Sequence, residues 1–511
     1  MRKITLAFVC AATAAHGQSF ADRTGDQPFA HSYVGGWEHF VGGGVAVLDC
    51  NVDGFPDLFA AGGENPTSLL VNRTSGPGSP IRFERADGPA LMGVTGAYPL
   101  DIDSDGIEDL AVLRVGPNVA LRGLGDCQFE DATAAWGIDP GSSWTTAFSA
   151  TWEEGAAWPT LVFGNYVDRE DPEGPFGTCD THDLFRPTAE GYGPPTRLDP
   201  GYCTLSMLFS DWDRAGRAAL RVSNDRHYYL RGGEEQMWEM APELRLLGAA
   251  DGWQSHALWG MGIASRDISG DGFPEVMLTS MGDQKLQRRV PEKGRAAFET
   301  VPFATGAAAQ RPYMGDDGRP STGWHAEFGD VNNDGLPDLF LSKGNVDQMP
   351  DAAMFDPNNL LMLDEEGRFH ERGETAGITS MHRGRGAAVE DLNQDGLNDI
   401  VVVNRRAPLE IFENVTEVAG NWISVALRQP APNVFAVGAW VEVRWGDRQA
   451  AQEVTVGGGH AGGSSGPLHF GLGSADVAEA RVIWPGGQTG AWVPLAANTH
   501  HVIARETIAT E

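Results

Sequence analysis

Five stretches of this chain spell nearly the same ten residues: DCNVDGFPDL (49–58), DIDSDGIEDL (101–110), DISGDGFPEV (267–276), DVNNDGLPDL (330–339) and DLNQDGLNDI (391–400). Oxygen-bearing side chains recur at four places. Position 1 is Asp49, Asp101, Asp267, Asp330 and Asp391; position 3 is Asn51, Asp103, Ser269, Asn332 and Asn393. Position 5 is Asp53, Asp105, Asp271, Asp334 and Asp395; position 9 is Asp57, Asp109, Glu275, Asp338 and Asp399. A glycine always fills position 6. A hard cation needs this pattern: Ca²⁺ takes about 6–8 oxygen ligands, and a loop that turns back through glycine converges alternate side chains on one point. About five Ca²⁺ sites are expected, each completed by the backbone carbonyl of position 7.

The loops are not EF-hands, which place a bidentate glutamate at position 12. Position 12 here is Ala60, Val112, Leu278, Leu341 or Val402. It lies in a short apolar run that reads as a strand, so each unit is strand, loop, strand. Two eroded copies fill the long gap after residue 110. SMLFSDWDRAGRAALRVSN (206–224) keeps Asp211, Asp213 and Gly216 but has alanine at positions 5 and 9, and TWEEGAAWPTLVFGN (151–165) keeps only the second strand. Units therefore start near 49, 101, 152, 211, 267, 330 and 391, with room for four short strands each.

Such repeats most often close into a β-propeller. The expected fold is all-β: a seven-bladed propeller with calcium loops over residues 22–417, then a small β-domain over 418–511. Four loops have glycine five positions upstream of the first aspartate (Gly44, Gly96, Gly262 and Gly386), as a crowded axis would demand; His325 is the exception. Residues 168–203 and 282–320 read as irregular inserts. Gly462-x-Ser464-x-Gly466 and Gly457-x-Gly459-x-x-Gly462 match catalytic patterns but lie in a glycine-rich turn of a β-rich segment, without the strand-turn-helix context those motifs need.

The formal charge of −33, from 70 acidic and 37 basic residues, removes the basic footprint that nucleic acid requires. Arg2 and Lys3, an apolar run from Ile4 to Ala15 and small residues after it read as a signal peptide over 1–21, cleaved after Gly17 or Ala21. No apolar run long enough to span a membrane follows. The expected location is exported, periplasmic or extracellular. Four cysteines then remain: Cys50, Cys127, Cys179 and Cys203. An exported chain with this even number suggests two disulfides, with three connectivities open; Cys50–Cys127 with Cys179–Cys203 keeps each bond within adjacent or intervening segments.

The C-terminal segments GNWISVAL (420–427), VGAWVEVRWGD (437–447), GGGHAGGSSGPLHFGLG (457–473) and VIWPGGQ (482–488) resemble the ASPIC/UnbV family, and the upstream loops resemble its FG-GAP/VCBS-type repeats. The whole mature chain looks like a bacterial member of the cartilage acidic protein family. The resemblance implies a secreted calcium-binding scaffold whose partner is an extracellular glycan or protein. The alternative is an extracellular enzyme acting on polysaccharide or another polymer at the channel mouth. His39, His256, Trp259, Trp324, His325, His382 and Arg385 lie on or beside the innermost strands and are the candidate ligand pocket there.

Overall fold

The computed structural model describes residues 17–171, 178–225, 233–315 and 318–505. Residues 1–16, most of the segment expected to be a signal peptide, lie outside the described residues.

The apolar runs after the loops are second strands that bury both faces. In Asp399–Arg405, Ile400 and Val402 face one core while Val401 and Val403 face another. In Asp109–Arg114, Leu110 and Val112 face one core, Ala111 and Leu113 the next. A strand packed between two neighbouring sheets has no polar side, so its sequence is continuously apolar rather than alternating.

Among the described residues, seven antiparallel four-stranded sheets follow one another along the chain. Their first strands are Val45–Leu48, Val94–Leu100, Thr145–Thr151, Thr204–Ser210, Gly260–Arg266, Gly323–Gly329 and Arg383–Glu390. Consecutive first strands lie side by side, and the seventh also lies against the first. Gly386 donates its N–H to the Gly43 carbonyl at 3.0 Å across that last seam. The seventh sheet takes its outermost strand, Phe20–Asp22, from the start of the chain, paired antiparallel with Glu410–Asn414. Phe20 is buried in the core between the sixth and seventh sheets. A signal-peptide boundary at residue 21 therefore falls inside a strand.

The segment 168–203 holds more than an insert. His182–Phe185 and Thr196–Leu198 within it are the two outer strands of the third sheet, and a small hairpin stands between them. Segment 282–320 supplies Lys285–Arg289 and Phe298–Thr300, the outer strands of the fifth. Glycine, proline and charge obscured these strands because outer strands are short, and all of these but His182–Phe185 are partly exposed. Disulfides join Cys50 to Cys127 and Cys179 to Cys203. The first ties the opening loop to the hairpin of the second sheet; the second closes the outer part of the third.

The C-terminal domain has its own core. Asn421–Arg428 runs between antiparallel Leu468–Gly473 and parallel Thr499–Ala504, and Trp440–Trp445 runs between Arg448–Glu453 and Val477–Ile483. Among the described residues no helix is long and apolar enough to cross a membrane.

Candidate metal loops and the central axis

All five intact loops have one geometry. The residue before position 1 pairs with position 9, as in Leu48↔Asp57, Leu100↔Asp109, Arg266↔Glu275, Gly329↔Asp338 and Glu390↔Asp399. Position 1 gathers backbone N–H groups: Asp330 accepts from Asp334 at 3.1 Å and Gly335 at 2.7 Å, and Asp391 from Asp395 at 3.1 Å and Gly396 at 2.8 Å. Position 9 has both oxygens engaged. Asp109 accepts from Ile102 N at 2.7 Å and from Gly123 N, at the end of the third strand, at 2.8 Å. Asp57, Asp338 and Asp399 repeat this staple. The glycine of position 6 holds φ of 85–88° in all five, a left-handed turn that costs glycine little.

Burial pushes these carboxyls up: Asp101 and Asp267 to about 6, Asp57, Glu275, Asp330 and Asp391 to about 7, and Asp109 to about 8. Asp338 and Asp399 rise well above the ordinary range for the same reason, with the loops' other carboxylates adding to it. Desolvated like charges call for protons or a cation. The donor set converges most closely in the second loop, where Arg122 also lies 2.8 Å from Asp103 Oδ2 and 2.8 Å from Asp105 Oδ2. Ligand oxygens of Asp101, Asp103 and Asp109 lie within 4.8 Å of one another. Asp103 Oδ1 is buried and accepts no hydrogen bond. In the first, sixth and seventh loops the side-chain amide at position 3 turns to position 5 instead, with Asn51 Nδ2 2.9 Å from Asp53 Oδ2 and Asn332 Nδ2 2.9 Å from Asp334 Oδ2. In the eroded loop arginine supplies the positive charge: Arg295 lies 3.5 Å from Asp213, and Arg214 reaches the Gly272 carbonyl at 2.8 Å.

The axis is filled by the C-terminal domain. Residues 456–464 run through it and pair with the first strands of five sheets: Val47↔Ser464, Ala97↔Gly462, Ala150↔Val456, Leu208↔Gly457 and Ile263↔Gly459. The sixth sheet is met by His460, whose N–H reaches His325 Nδ1 at 3.1 Å, and the seventh by Ser464, whose hydroxyl donates to Glu390. A Cβ at Gly44 would stand 1.7 Å from the Ala461 carbonyl oxygen, and one at Gly96 1.9 Å from it. The small residues at this offset are therefore where residues 459–462 pass against the first strands. The two catalytic-looking glycine patterns are this segment.

The seven candidate pocket residues do not converge. Trp324, His325 and Arg385 meet at the axis, all buried. Arg385 lies 4.0 Å over the Trp324 ring and donates to the carbonyls of Phe40, Gly384 and Val346. His39 is buried nearby, with neither ring nitrogen hydrogen-bonded. His256 packs edge-on against Trp253, 5.5 Å between centroids, on the flank of the fifth sheet. Trp259 and His382 are exposed. Between the loop face and the C-terminal domain lies a cavity of about 660 Å³, whose lining includes His325, Glu327, Glu390, Trp440 and His469. Glu327 and Glu390 were not singled out from the sequence; their one signal was a charged residue in an innermost strand.

Residues 429–510 match the family described as ASPIC and UnbV, and residues 49–112 match the FG-GAP-like repeat. No curated protein matches. Among solved structures, the chain is similar to BBS1N in complex with ARL6DN (12% identity, 78% of this chain and 98% of that one, TM-score 0.43). It is also similar to the extracellular domain of a one component system of B. thetaiotaomicron (9% identity, 96% and 58% covered, TM-score 0.39). An Agrocybe aegerita lectin that recognises non-reducing terminal N-acetylglucosamine is a third (15% identity, 72% and 78% covered, TM-score 0.29). Likeness this loose transfers no property. The two matched segments thus place an FG-GAP-like repeat near the start of the chain and an ASPIC and UnbV segment at its end.

Proposed function

We propose that the seven sheets are the blades of one β-propeller, that five of its loops hold Ca²⁺, and that the chain is an exported scaffold binding an extracellular glycan or protein. The observation that carries the metal reading is the unpartnered, buried Asp103 Oδ1 among converging carboxylates, in a loop built like four others. Closure is supported by the seam between the first and seventh sheets and by the strand borrowed from the N-terminus. Two disulfides support export, since such bonds persist in oxidising compartments. The C-terminal domain covers the loop face, so a partner meets the opposite one, where Trp259 and Phe355 stand exposed. Elemental analysis of dialysed protein tests the metal: the expected content is about five Ca²⁺ per chain, set by the loops that keep position 9. A content near zero, with stability unchanged by chelator, overturns it. Glycan and protein arrays probed with the chain and with Trp259→Ala test the face.

One observation favours a second reading, a polymer-active enzyme. Glu327 and Glu390 lie on adjacent first strands and both line the cavity, and burial pushes each to about 8. Paired carboxyls with raised proton affinity suit acid–base work. Polysaccharide turnover lost in both Glu327→Gln and Glu390→Gln would support it; a wild-type chain without turnover removes it.

A further inference from the structure

Position 4 of the loops carries no ligand, and sequence reasoning gave it no role. The structure gives it one conformation and, in four of six loops, one neighbour. Val52, Ser104, Arg214, Asn333 and Gln394 all hold φ of 55–61°, and Gly270 holds 73°. A left-handed backbone is uncommon for residues other than glycine. Its recurrence at one place, in the eroded loop too, is a property of the loop rather than of the side chain.

Four of these residues hydrogen-bond the C-terminal domain. Ser104 Oγ accepts from Asn433 N at 3.2 Å, and Arg214 donates to Glu442 at 2.7 Å. The Gly270 carbonyl accepts from Gln449 Nε2 at 2.8 Å. Asn333 is fully buried and central: its Oδ1 takes the His469 Nε2 proton at 2.7 Å, its carbonyl accepts from Gly473 N at 2.8 Å, and its Nδ2 donates to the Gly396 carbonyl of the next loop at 2.8 Å. The sixth and seventh loops are pressed close. A Cβ at Gly471 would fall 1.9 Å from Asp330 Oδ2, and one at Gly396 1.8 Å from Trp422 Nε1.

We propose that position 4 is the seat of the C-terminal domain, and that calcium, by fixing the loops, holds the domain down and its 456–464 segment in the axis. The inference rests on the calcium reading above. A cation bound by positions 1, 3, 5 and 9 brackets position 4 on both sides and locks the turn that presents it. Removing the cation leaves three or four carboxylates in each loop repelling one another, and the presented groups lose their register. The domain's other contacts with this face, such as Gly420 N to the Asn332 carbonyl at 2.8 Å and Asp211 N to Glu453 at 3.0 Å, also start from residues of the loops, so the threaded segment loosens with them.

Hydrogen exchange on the full chain tests this, following peptides over 454–467 with 399–414 as an internal reference, and calcium content measured on the same samples. In wild type, chelator is expected to remove the calcium and speed exchange over 454–467 about tenfold or more, ahead of the reference strands. Asn333→Gly keeps the left-handed backbone but deletes the side-chain bonds to His469 and Gly396. In calcium it is expected to retain the wild-type metal content and still exchange faster over 454–467. Calcium lost with exchange over 454–467 unchanged overturns the proposal. So does Asn333→Gly protected as wild type, the arm that decides if chelator unfolds the whole chain. Wild type that carries no calcium at the outset overturns the metal reading, and the proposal with it.

Discussion

His460 donates its backbone N–H to His325 Nδ1 at 3.1 Å, joining a segment of the C-terminal domain to the innermost strand of the sixth sheet. The bond fixes both rings. His325 accepts at Nδ1, so its proton sits on Nε2 and points to Glu327 Oε2 at 3.1 Å. His460 Nε2 accepts from Gly42 N at 3.2 Å, so its own proton sits on Nδ1 and reaches the Met261 carbonyl at 2.8 Å. Each imidazole is neutral, with both nitrogens used. Where four other sheets place glycine, the sixth places a side chain that grips the threaded segment.

Replacing His325 with alanine strands the His460 N–H in the core. A buried donor left without a partner costs about 1–3 kcal/mol, and the emptied space adds to it. Urea unfolding should therefore show His325→Ala less stable by at least about 2 kcal/mol. A change within error would mean that the segment does not depend on this contact.

The same pair sets an acid limb. Burial pushes His325 and His460 down to about 3. The unfolded chain takes up these protons near 6.5, so between 6.5 and 3 it binds more than the folded chain. Their contribution is intact above 6.5 and is lost as pH falls towards 3. His325→Gln should flatten the decline between pH 4 and 6 by about 1.4 kcal/mol per pH unit, one proton's worth. Equal slopes would show that His325 is protonated in the folded protein.

The glycines of the axis were legible in the sequence; what they make room for was not. Gly44, Gly96, Gly262 and Gly386 stand at one offset from the loops, which was enough to place a crowded axis. The occupant comes from another part of the chain, Ala461 for Gly44 and Gly96, Gly459 for Gly262 and His460 for Gly386, and no local pattern announces such a pairing. The acidic loops and the second strands were equally plain, because a repeated loop and double-sided burial each leave a strict periodic mark. Outer strands such as Thr196–Leu198 leave none, being three residues long with two of them exposed. Position 4 was silent for another reason. Its conformation is imposed by the loop, so valine, serine, asparagine and arginine all serve, and no residue type recurs.

Gly44→Ala tests the crowding directly. Its Cβ would meet the Ala461 carbonyl at 1.7 Å, with backbone on both sides and nothing free to swing away. Overpacking of this kind costs about 1–3 kcal/mol or more, or it expels the segment. Gly248→Ala, with nothing within 4 Å of the new methyl, is the control and should leave the melting temperature unchanged. Equal behaviour of the two variants would place 456–464 outside the axis in solution.

The disulfides should differ in worth. Cys50–Cys127 spans 77 residues and Cys179–Cys203 spans 24. Closing the longer loop removes more freedom from the unfolded chain, a difference of about 1 kcal/mol on the chain-entropy scale. Replacing both cysteines of a pair by serine should cost more for the first pair in guanidinium titrations. The reverse order would show that native-state packing, not loop closure, decides.

The seventh sheet constrains where the proposed signal peptide can be cleaved. Phe20, Ala21 and Asp22 pair with Asn414, Glu413 and Phe412, and Ser19 N reaches Thr416 Oγ1 at 3.2 Å. Cleavage after Ala21 would remove two of the three strand residues and the buried Phe20 ring. The sheet would be left with the exposed edge that borrowed strands cover. Cleavage after Gly17 keeps every one of these contacts. Intact-mass measurement of the secreted protein should thus give a chain beginning at Gln18, with four hydrogens fewer than its fully reduced form, the count for two disulfides. A chain beginning at Asp22 with undiminished stability would show that the outermost strand is dispensable. Deleting residues 18–22 from an otherwise mature chain should then be harmless; with the contacts seen here, it is expected to lower the melting temperature by about 1–2 °C, as the loss of about 1–2 kcal/mol does in a chain of this size.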